Sequence, residues 1–268
     1  MKPEPSTPPH ARAEASPDWL LGYFNADYQR FVLTQISKER TERQVRFLLK
    51  RLPSPLDGPL LDLGCGLGRH ALALAAHGYQ VTGRDIVPSY LEAAQQQALE
   101  ANLPARFEVG DMRALVDPPT FSAILFLWSS FGYFSDEENQ ATLDGTARAL
   151  LPNGLLFLDL ENRERTLRHF QRDSWRRCDS GWILERNRFL LASDTLITRK
   201  IYLSNVSNGD RFEICPHCSR RRLKLYPLAT LQRMLSQAGL TVEEVLGGEE
   251  EEPYSLDSRR MWLIARRN

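Results

Sequence analysis

Leu60-Leu61-Asp62-Leu63-Gly64-Cys65-Gly66-Leu67-Gly68-Arg69-His70 is the stretch around which the rest of the chain must be arranged. Leu60, Leu61 and Leu63 make a short apolar run after the breakers Asp57-Gly58-Pro59, which predicts a buried strand of a parallel sheet. Gly64, Gly66 and Gly68 then permit backbone geometries and a close approach that a Cβ would block. Ala71 to Ala76 is strongly helix-forming and stops at His77-Gly78. A strand, a glycine turn and a helix in that order can cradle a nucleotide; the alternative is a glycine turn that holds no ligand.

Three details narrow the choice. The spacing is G-x-G-x-G followed by Arg69, not the G-x-G-x-x-G of dinucleotide-binding folds. Asp62, just ahead of the turn, would repel a pyrophosphate but suits a ligand carrying an ammonium group. Tyr79 to Arg84 reads as a second strand ending in Asp85, about twenty residues past the glycines, where a carboxylate can hold ribose hydroxyls. An adenosine with a cationic amino-acid arm and no phosphates is S-adenosylmethionine (SAM). At these residues the chain resembles the class I SAM-dependent methyltransferases, whose first motif is an acid followed by x-G-x-G-x-G. The resemblance implies a doubly wound, Rossmann-like α/β fold with a seven-stranded sheet whose last strand is antiparallel. It also implies SAM as methyl donor and S-adenosylhomocysteine (SAH) as product. Carried over residue by residue, it places Asp62, Gly64, Cys65, Gly66, Gly68, Asp85, Ile86, Asp111, Met112 and Leu127 around the cofactor. Asp62 would orient the amino-acid arm, Asp85 the ribose and Asp111 the adenine.

Composition sets the outer limits. A chain of 268 residues, 42% of them apolar, is long enough for one large α/β domain with an insertion or for two small domains. The formal net charge is zero, so no global field draws it to nucleic acid or to a membrane surface. No apolar run approaches the length of a membrane span and no signal-peptide core is present, which leads us to expect a cytoplasmic protein. The four cysteines, at 65, 178, 215 and 218, form no disulfide framework.

Residues 1–17, rich in Pro, Ser and Ala, read as a disordered tail. An α/β core with N-terminal helices is expected over 18–162, and residues 227–268 should complete it. Tyr23 and Tyr28 sit in an aromatic-rich segment; the resemblance makes them candidates for closing over the cofactor, whereas plain packing is the bland reading. Ser37 to Leu52 predicts an amphipathic helix ended at Pro53-Ser54-Pro55. Pro88 opens a helix over Ser89–Asn102 with Leu91, Ala94, Ala98 and Leu99 on one face. Arg106 to Val109 is a third strand leading to Asp111, whose carboxylate could accept from an exocyclic amino group while the Met112 N–H reaches a ring nitrogen. Phe121 to Leu127, apolar throughout, predicts a central parallel strand. Ligands of open α/β sheets bind outside the carboxyl ends of the strands, so Trp128, Ser129, Phe131 and Tyr133 should shape the acceptor pocket. Tyr133 is the candidate catalytic contact. The Ser-Phe-Gly-Tyr-Phe run at 130–134 is similar to that of bacterial small-molecule methyltransferases and departs from the Asn-Pro-Pro-Tyr type of nucleic-acid amino-methylating enzymes. Ser135 to Glu138 caps a helix to Leu150, and Leu155 to Asp159 reads as the fifth strand.

From 163 to 226 the alternation breaks. Trp182–Phe189, Thr195–Leu203, Arg211–Cys215 and Arg220–Tyr226 read as an antiparallel sheet, a lid inserted after the fifth strand, with a turn at Asn205–Asp210. A helix from Leu228 to Gln237 and strands at Leu240–Leu246 and Met261–Ala265 would close the main sheet. Cys215-Pro216-His217-Cys218 offers at most three local metal ligands, so no metal is expected. His169 and His217 could titrate as bases, but a lone histidine is more often structural. Between 164 and 226 fourteen Arg/Lys stand against seven Asp/Glu. This excess could attract an anionic substrate or a nucleic acid, with Arg220-Arg221-Arg222 the part to matter, or merely guard exposed sheet edges. The expected acceptor is a small-molecule nucleophile, at nitrogen or oxygen rather than carbon. An RNA or protein methyltransferase, or a non-catalytic scaffold on the same fold, are the alternatives; the oligomeric state is left open.

Overall fold

The computed structural model describes residues 18–53, 56–206 and 211–268; the tail at 1–17 and most of the turn at 205–210 lie outside them. The chain begins with two short helices, α1 (Asp18–Tyr23) and α2 (Ala26–Phe31), followed by α3 (Lys38–Leu49). Then come β1 (Leu60–Leu63), α4 (Arg69–Ala76), β2 (Val81–Asp85), α5 (Pro88–Glu100), β3 (Ala105–Val109) and β4 (Phe121–Phe126). Next are α6 (Asp136–Ala149), β5 (Leu150–Glu161) and α7 (Arg163–Arg168). Five strands make the insertion: β6 (Asp173–Cys178), β7 (Gly181–Leu190), β8 (Thr195–Val206), β9 (Arg211–Ile214) and β10 (Ser219–Lys224). The chain closes with α8 (Leu228–Gln237), β11 (Leu240–Leu246) and β12 (Arg260–Arg267).

The main sheet has seven strands in the order β11-β12-β5-β4-β1-β2-β3, reversing at β1 so that the strand ends beside it open into a crevice. β1 to β5 are parallel and β12 runs antiparallel to both β5 and β11. All six residues of β4 are buried, as expected of a central strand covered on both faces. On one face α3 and α4 bring Phe47, Leu48 and Leu74 against Trp262, which packs 4.5 Å from the Phe47 ring. On the other, α6 and α8 supply Leu143, Leu231 and Leu235. The lid is a separate antiparallel sheet in the order β10-β8-β7-β6, with β9 paired to β8. It packs on α1 and α2 through the aromatic cluster of Tyr23, Tyr28, Phe31 and Tyr202. Polar ties from the Asn25 amide to the Ser219 hydroxyl (3.3 Å) and from Asp27 to His217 (2.9 Å) hold the two together.

Several local expectations shift. The third helix starts at its Ser37 cap as expected, the hydroxyl accepting from the Arg40 N–H, but ends at Leu49 rather than Leu52. α5 starts at Pro88 and ends at Glu100; its buried stripe is Tyr90, Leu91, Ala94 and Ala98, while Leu99 is 68% exposed. Leu99 is one residue on from Ala98, a hundred-degree step that carries it off the stripe. β5 is twelve residues long because its first residue, Leu150, pairs with Phe121 of β4 and its second half, Leu155 to Glu161, pairs with β12. α7 and β6 have no counterpart in the sequence reading. β6 carries Trp175-Arg176-Arg177 with almost no apolar alternation, an edge strand held mainly by its pairing to β7. Asn205 continues β8 instead of opening a turn.

Candidate active site

A cavity of about 560 Å³ lies at the carboxyl ends of β1, β2 and β4, between the glycine turn, the start of α3 and the α1–α2 cover. The glycine turn is fixed by the Gly64 N–H, which donates to the Arg84 carbonyl at 2.8 Å. The three glycines all have left-handed φ, yet they do different things. At Gly68 a Cβ would stand 2.7 Å from the Phe107 ring, so this glycine serves the packing of α4 on the sheet. At Gly66 a Cβ would meet nothing closer than Leu33 at 3.9 Å and would project into the cavity.

Asp62 is 1% exposed, and one of its carboxylate oxygens, Oδ2, has no hydrogen-bond partner among the described residues. Burial pushes its pKa up to about 7 against the pull of Arg69, with Asp85 adding to the rise. Arg69 at the helix start donates through Nη1 to the Thr41 hydroxyl at 2.9 Å, while its Nη2 is buried without a partner. Burial lowers Arg69 to about 10, against the favourable fields of Asp159 and Asp62. One side of the cavity therefore holds an unsatisfied carboxylate oxygen and an unsatisfied guanidinium nitrogen. Together they match the ammonium and carboxylate of an α-amino acid. Arg69 is the site residue the sequence reading missed as a binder; its place directly after the third glycine was the available signal.

At the end of β2, Asp85 accepts from the Gly66 N–H at 2.8 Å and the Val87 N–H at 3.0 Å. Burial raises its pKa while these N–H groups hold it down. Arg84 beside it is clamped by Asp117 (2.8 Å) and Glu108 (3.0 Å). Asp111 reaches the cavity after β3, but its carboxylate is engaged by Arg113 at 2.7 Å and caps its own short turn. Burial would raise Asp111; the Arg113 hydrogen bonds outweigh it and leave it low.

After β4 the backbone turns sharply, with Trp128 and Ser129 both at φ +58°. Such geometry costs of order 1–2 kcal/mol per residue and needs outside support. Asp159 supplies it: its Oδ2 accepts from the Trp128 N–H (3.1 Å) and its carbonyl from the Ser129 N–H (2.8 Å). Arg260 from β12 pairs with the fully buried Asp159 carboxylate and donates to the Ser129 hydroxyl at 2.9 Å. The guanidinium groups of Arg40 and Arg69 both approach the Trp128 ring, at 4.2 Å and 5.1 Å from its centroid.

Of the residues expected at the site, the cavity wall includes Asp62, Gly64, Cys65, Gly66, Asp85, Ile86, Asp111, Met112, Leu127, Tyr28, Trp128 and Tyr133. Gly68, Tyr23, Ser129 and Phe131 stand outside it. Tyr23 is buried in the aromatic cover at 4.9 Å from both Phe24 and Tyr28. Ser129 is held in the Arg260 network, and Phe131 packs in the core against Phe126 at 5.6 Å. Cys65 is buried and its thiol is pushed up by burial, so it is not a reactive thiolate. Cys215 and Cys218 lie between β9 and β10, and no metal-binding group of side chains occurs among the described residues.

A doubly wound sheet whose crevice presents a ribose-type acid, a glycine turn and unmatched partners for an amino acid defines a protein built to hold an adenosyl amino acid. The comparisons agree. A family model described as a methyltransferase domain matches residues 60–154. The chain is 30% identical over 217 residues to the cypemycin N-terminal methyltransferase of a Streptomyces species, spanning 80% of this chain and 85% of that one. It is 26% identical over 215 residues to the dTDP-3-amino-3,6-dideoxy-alpha-D-glucopyranose N,N-dimethyltransferase of Streptomyces fradiae, covering 75% and 76%. Among solved structures, the CcbJ methyltransferase of Streptomyces caelestis superposes with a TM-score of 0.77 at 19% identity, over 91% of this chain and 98% of that one. This chain belongs to the class I SAM-dependent methyltransferases.

Proposed function

We propose that the methyl group is transferred to a nitrogen or oxygen nucleophile of a small molecule. The observation that carries this reading is the roof. α1 and α2, backed by the lid, pack over the strand ends, and Trp128, Tyr28 and Tyr133 border a partly open cavity in which a small nucleophile can be aligned. The names of two relatives, a cypemycin N-terminal methyltransferase and an amino-sugar N,N-dimethyltransferase, support an acceptor of this kind. When bound, SAM supplies a methyl group already activated by its sulfonium. Asp62 and Arg69 would then hold its amino-acid arm, Asp85 the ribose, and Asp111 with Met112 the adenine. Alignment and exclusion of water are the remaining tasks. Burial raises the Tyr133 phenol, which therefore stays protonated and can position an acceptor by hydrogen bonding but cannot serve as a base. His70, pushed down by burial and bonded to Gln44 at 3.0 Å, is neutral in the wall. An amine acceptor arriving neutral needs no base.

Transfer to RNA through the basic lid is the second reading. Several lid cations are already neutralised, Arg186 by Asp173, Lys200 by Glu185, Arg221 by Glu161 and Lys224 by Asp136, which weakens it. The test is SAH formation from SAM with a panel of small primary amines, alcohols and structured RNA. Turnover with amines, lost in Tyr133→Phe or Trp128→Ala, is expected. Turnover confined to RNA would replace the small-molecule reading.

A further inference from the structure

A second cavity, of about 370 Å³, lies between α7 and the inner face of the lid sheet. Its charged lining is Glu161 from β5, Glu185 from β7, Arg221 from β10, Arg165 from α7 and Arg259. Burying so polar a sheet face costs free energy that a purely structural lid would avoid with apolar residues. Both carboxylates are already matched: Arg221 Nη2 meets Glu161 Oε1 at 2.9 Å, and Lys200 meets Glu185 at 3.1 Å from the neighbouring strand. Two of the lining cations, Arg165 and Arg259, have no carboxylate partner among the described residues, and Arg221 is not fully used. Arg165 donates to the neutral carbonyl of Asp257, Arg259 has no ion pair among the described residues, and the buried Nε of Arg221 has no partner. Three lining cations thus face two carboxylates, one of which is already paired with Lys200 from outside the lining, and one buried donor is left over. A planar guanidinium with a free edge suits a carboxylate.

This cavity is one layer of side chains from the cofactor cavity. Tyr133 lines the cofactor side and feels the Arg221 guanidinium, and the Glu161 N–H donates to the Ser129 hydroxyl beside Trp128 at 3.1 Å. We propose that the cavity behind α7 binds a carboxylate of the methyl acceptor through Arg221 and Arg259, presenting the nucleophile past Tyr133 to the cofactor cavity. This rests on the small-molecule reading and narrows it to acceptors that carry a carboxylate.

The test is thermal unfolding of the whole chain saturated with SAH, with sodium succinate, its neutral isostere succinamide, or sodium chloride at matched ionic strength. Succinate at tens of millimolar should raise the midpoint by about 2–4 °C beyond chloride, as a native-state ligand does at roughly ten times its Kd. Succinamide should not. Arg259→Ala, an exposed position, should lose the succinate rise and keep the SAH rise. The paired variant Arg221→Met/Glu161→Gln removes the ion pair as a unit and should behave likewise. Arg177→Ala, on the outer face of the lid, should leave both intact. A succinate effect equal to chloride, equal to succinamide, or retained in both cavity variants would overturn the proposal. An SAH rise with succinate silent overturns the carboxylate pocket alone, whereas the small-molecule reading stands or falls on the amine panel.

Discussion

At the scale of single residues the site is a set of unmatched polar atoms, and these have measurable consequences. Asp62 is raised to about 7 by burial, so in the ligand-free protein it binds a proton between its ordinary carboxylate range and that value. The native state then holds more protons than the unfolded chain, and stability from this group falls as pH rises through that window. An ammonium at Oδ2 favours the ionised form. The midpoint rise produced by SAH should therefore grow between pH 5.5 and 7.5 in the native chain and be small and flat in Asp62→Asn. Thermal unfolding with and without SAH across that range checks it. The glycines separate two roles that one motif conceals. Gly68→Ala drives a Cβ into Phe107 at 2.7 Å with φ at +72°, and should cost ~2–4 kcal/mol of stability. Gly66→Ala has room for its Cβ, so it should cost only about 1 kcal/mol, for the backbone alone, but weaken SAH binding at least tenfold because the methyl occupies the cavity. Urea unfolding and calorimetric titration of the two variants read the difference.

At the scale of elements, what sequence periodicity reveals is what local physics decides. β1, the glycine turn, α4, β4 and the capped start of α6 were all legible because apolar runs, breakers and a capping box sit in adjacent residues. α7 and β6 were not, because a six-residue helix and a strand of Trp, Arg and Cys are selected by neighbours distant in sequence. The same limit hid the device that shapes the acceptor loop. Trp128 and Ser129 are held at positive φ by Asp159 on β5 and Arg260 on β12, residues 31 and 101 positions apart from their partners. Arg260→Met would strand the fully buried Asp159 carboxylate and should cost ~3–5 kcal/mol. The double variant Asp159→Asn/Arg260→Met should recover much of that loss, since a neutral amide can still accept from Trp128 without needing a guanidinium. A double-mutant cycle by urea unfolding measures the coupling; additive costs would mean that the loop does not depend on the pair.

At the scale of the whole molecule, the glycine turn and the acids at or beside the ends of β1, β2 and β3 were legible as one wall of the cavity, whereas the packing of the lid on α1 and Tyr133 was not. Its contribution could not be read from the run Arg220-Arg221-Arg222, whose side chains alternate across the sheet: Arg221 turns inward to Glu161 and is 14% exposed, while Arg220 faces outward. Charge counted along the chain therefore overstates charge available to a partner. Net charge is zero and Arg186, Lys200 and Lys224 are held in ion pairs, yet Arg176, Arg177, Arg188, Arg199, Arg211 and Arg220 are exposed and make no ion pair among the described residues. If the lid serves a small acceptor and not RNA, binding to RNA should be weak and shallow in its salt dependence. Each phosphate neutralised on a single strand contributes about −0.7 to the slope of log K against log salt, so contact with only one or two phosphates gives a slope of about −1. Anisotropy of a labelled single-stranded RNA, titrated from 50 to 200 mM salt, gives that slope directly. A slope near −4 with micromolar affinity would require five or six phosphate contacts. The unpaired lid arginines are numerous enough to supply them, so that outcome would make the lid a nucleic-acid platform and replace the small-molecule reading.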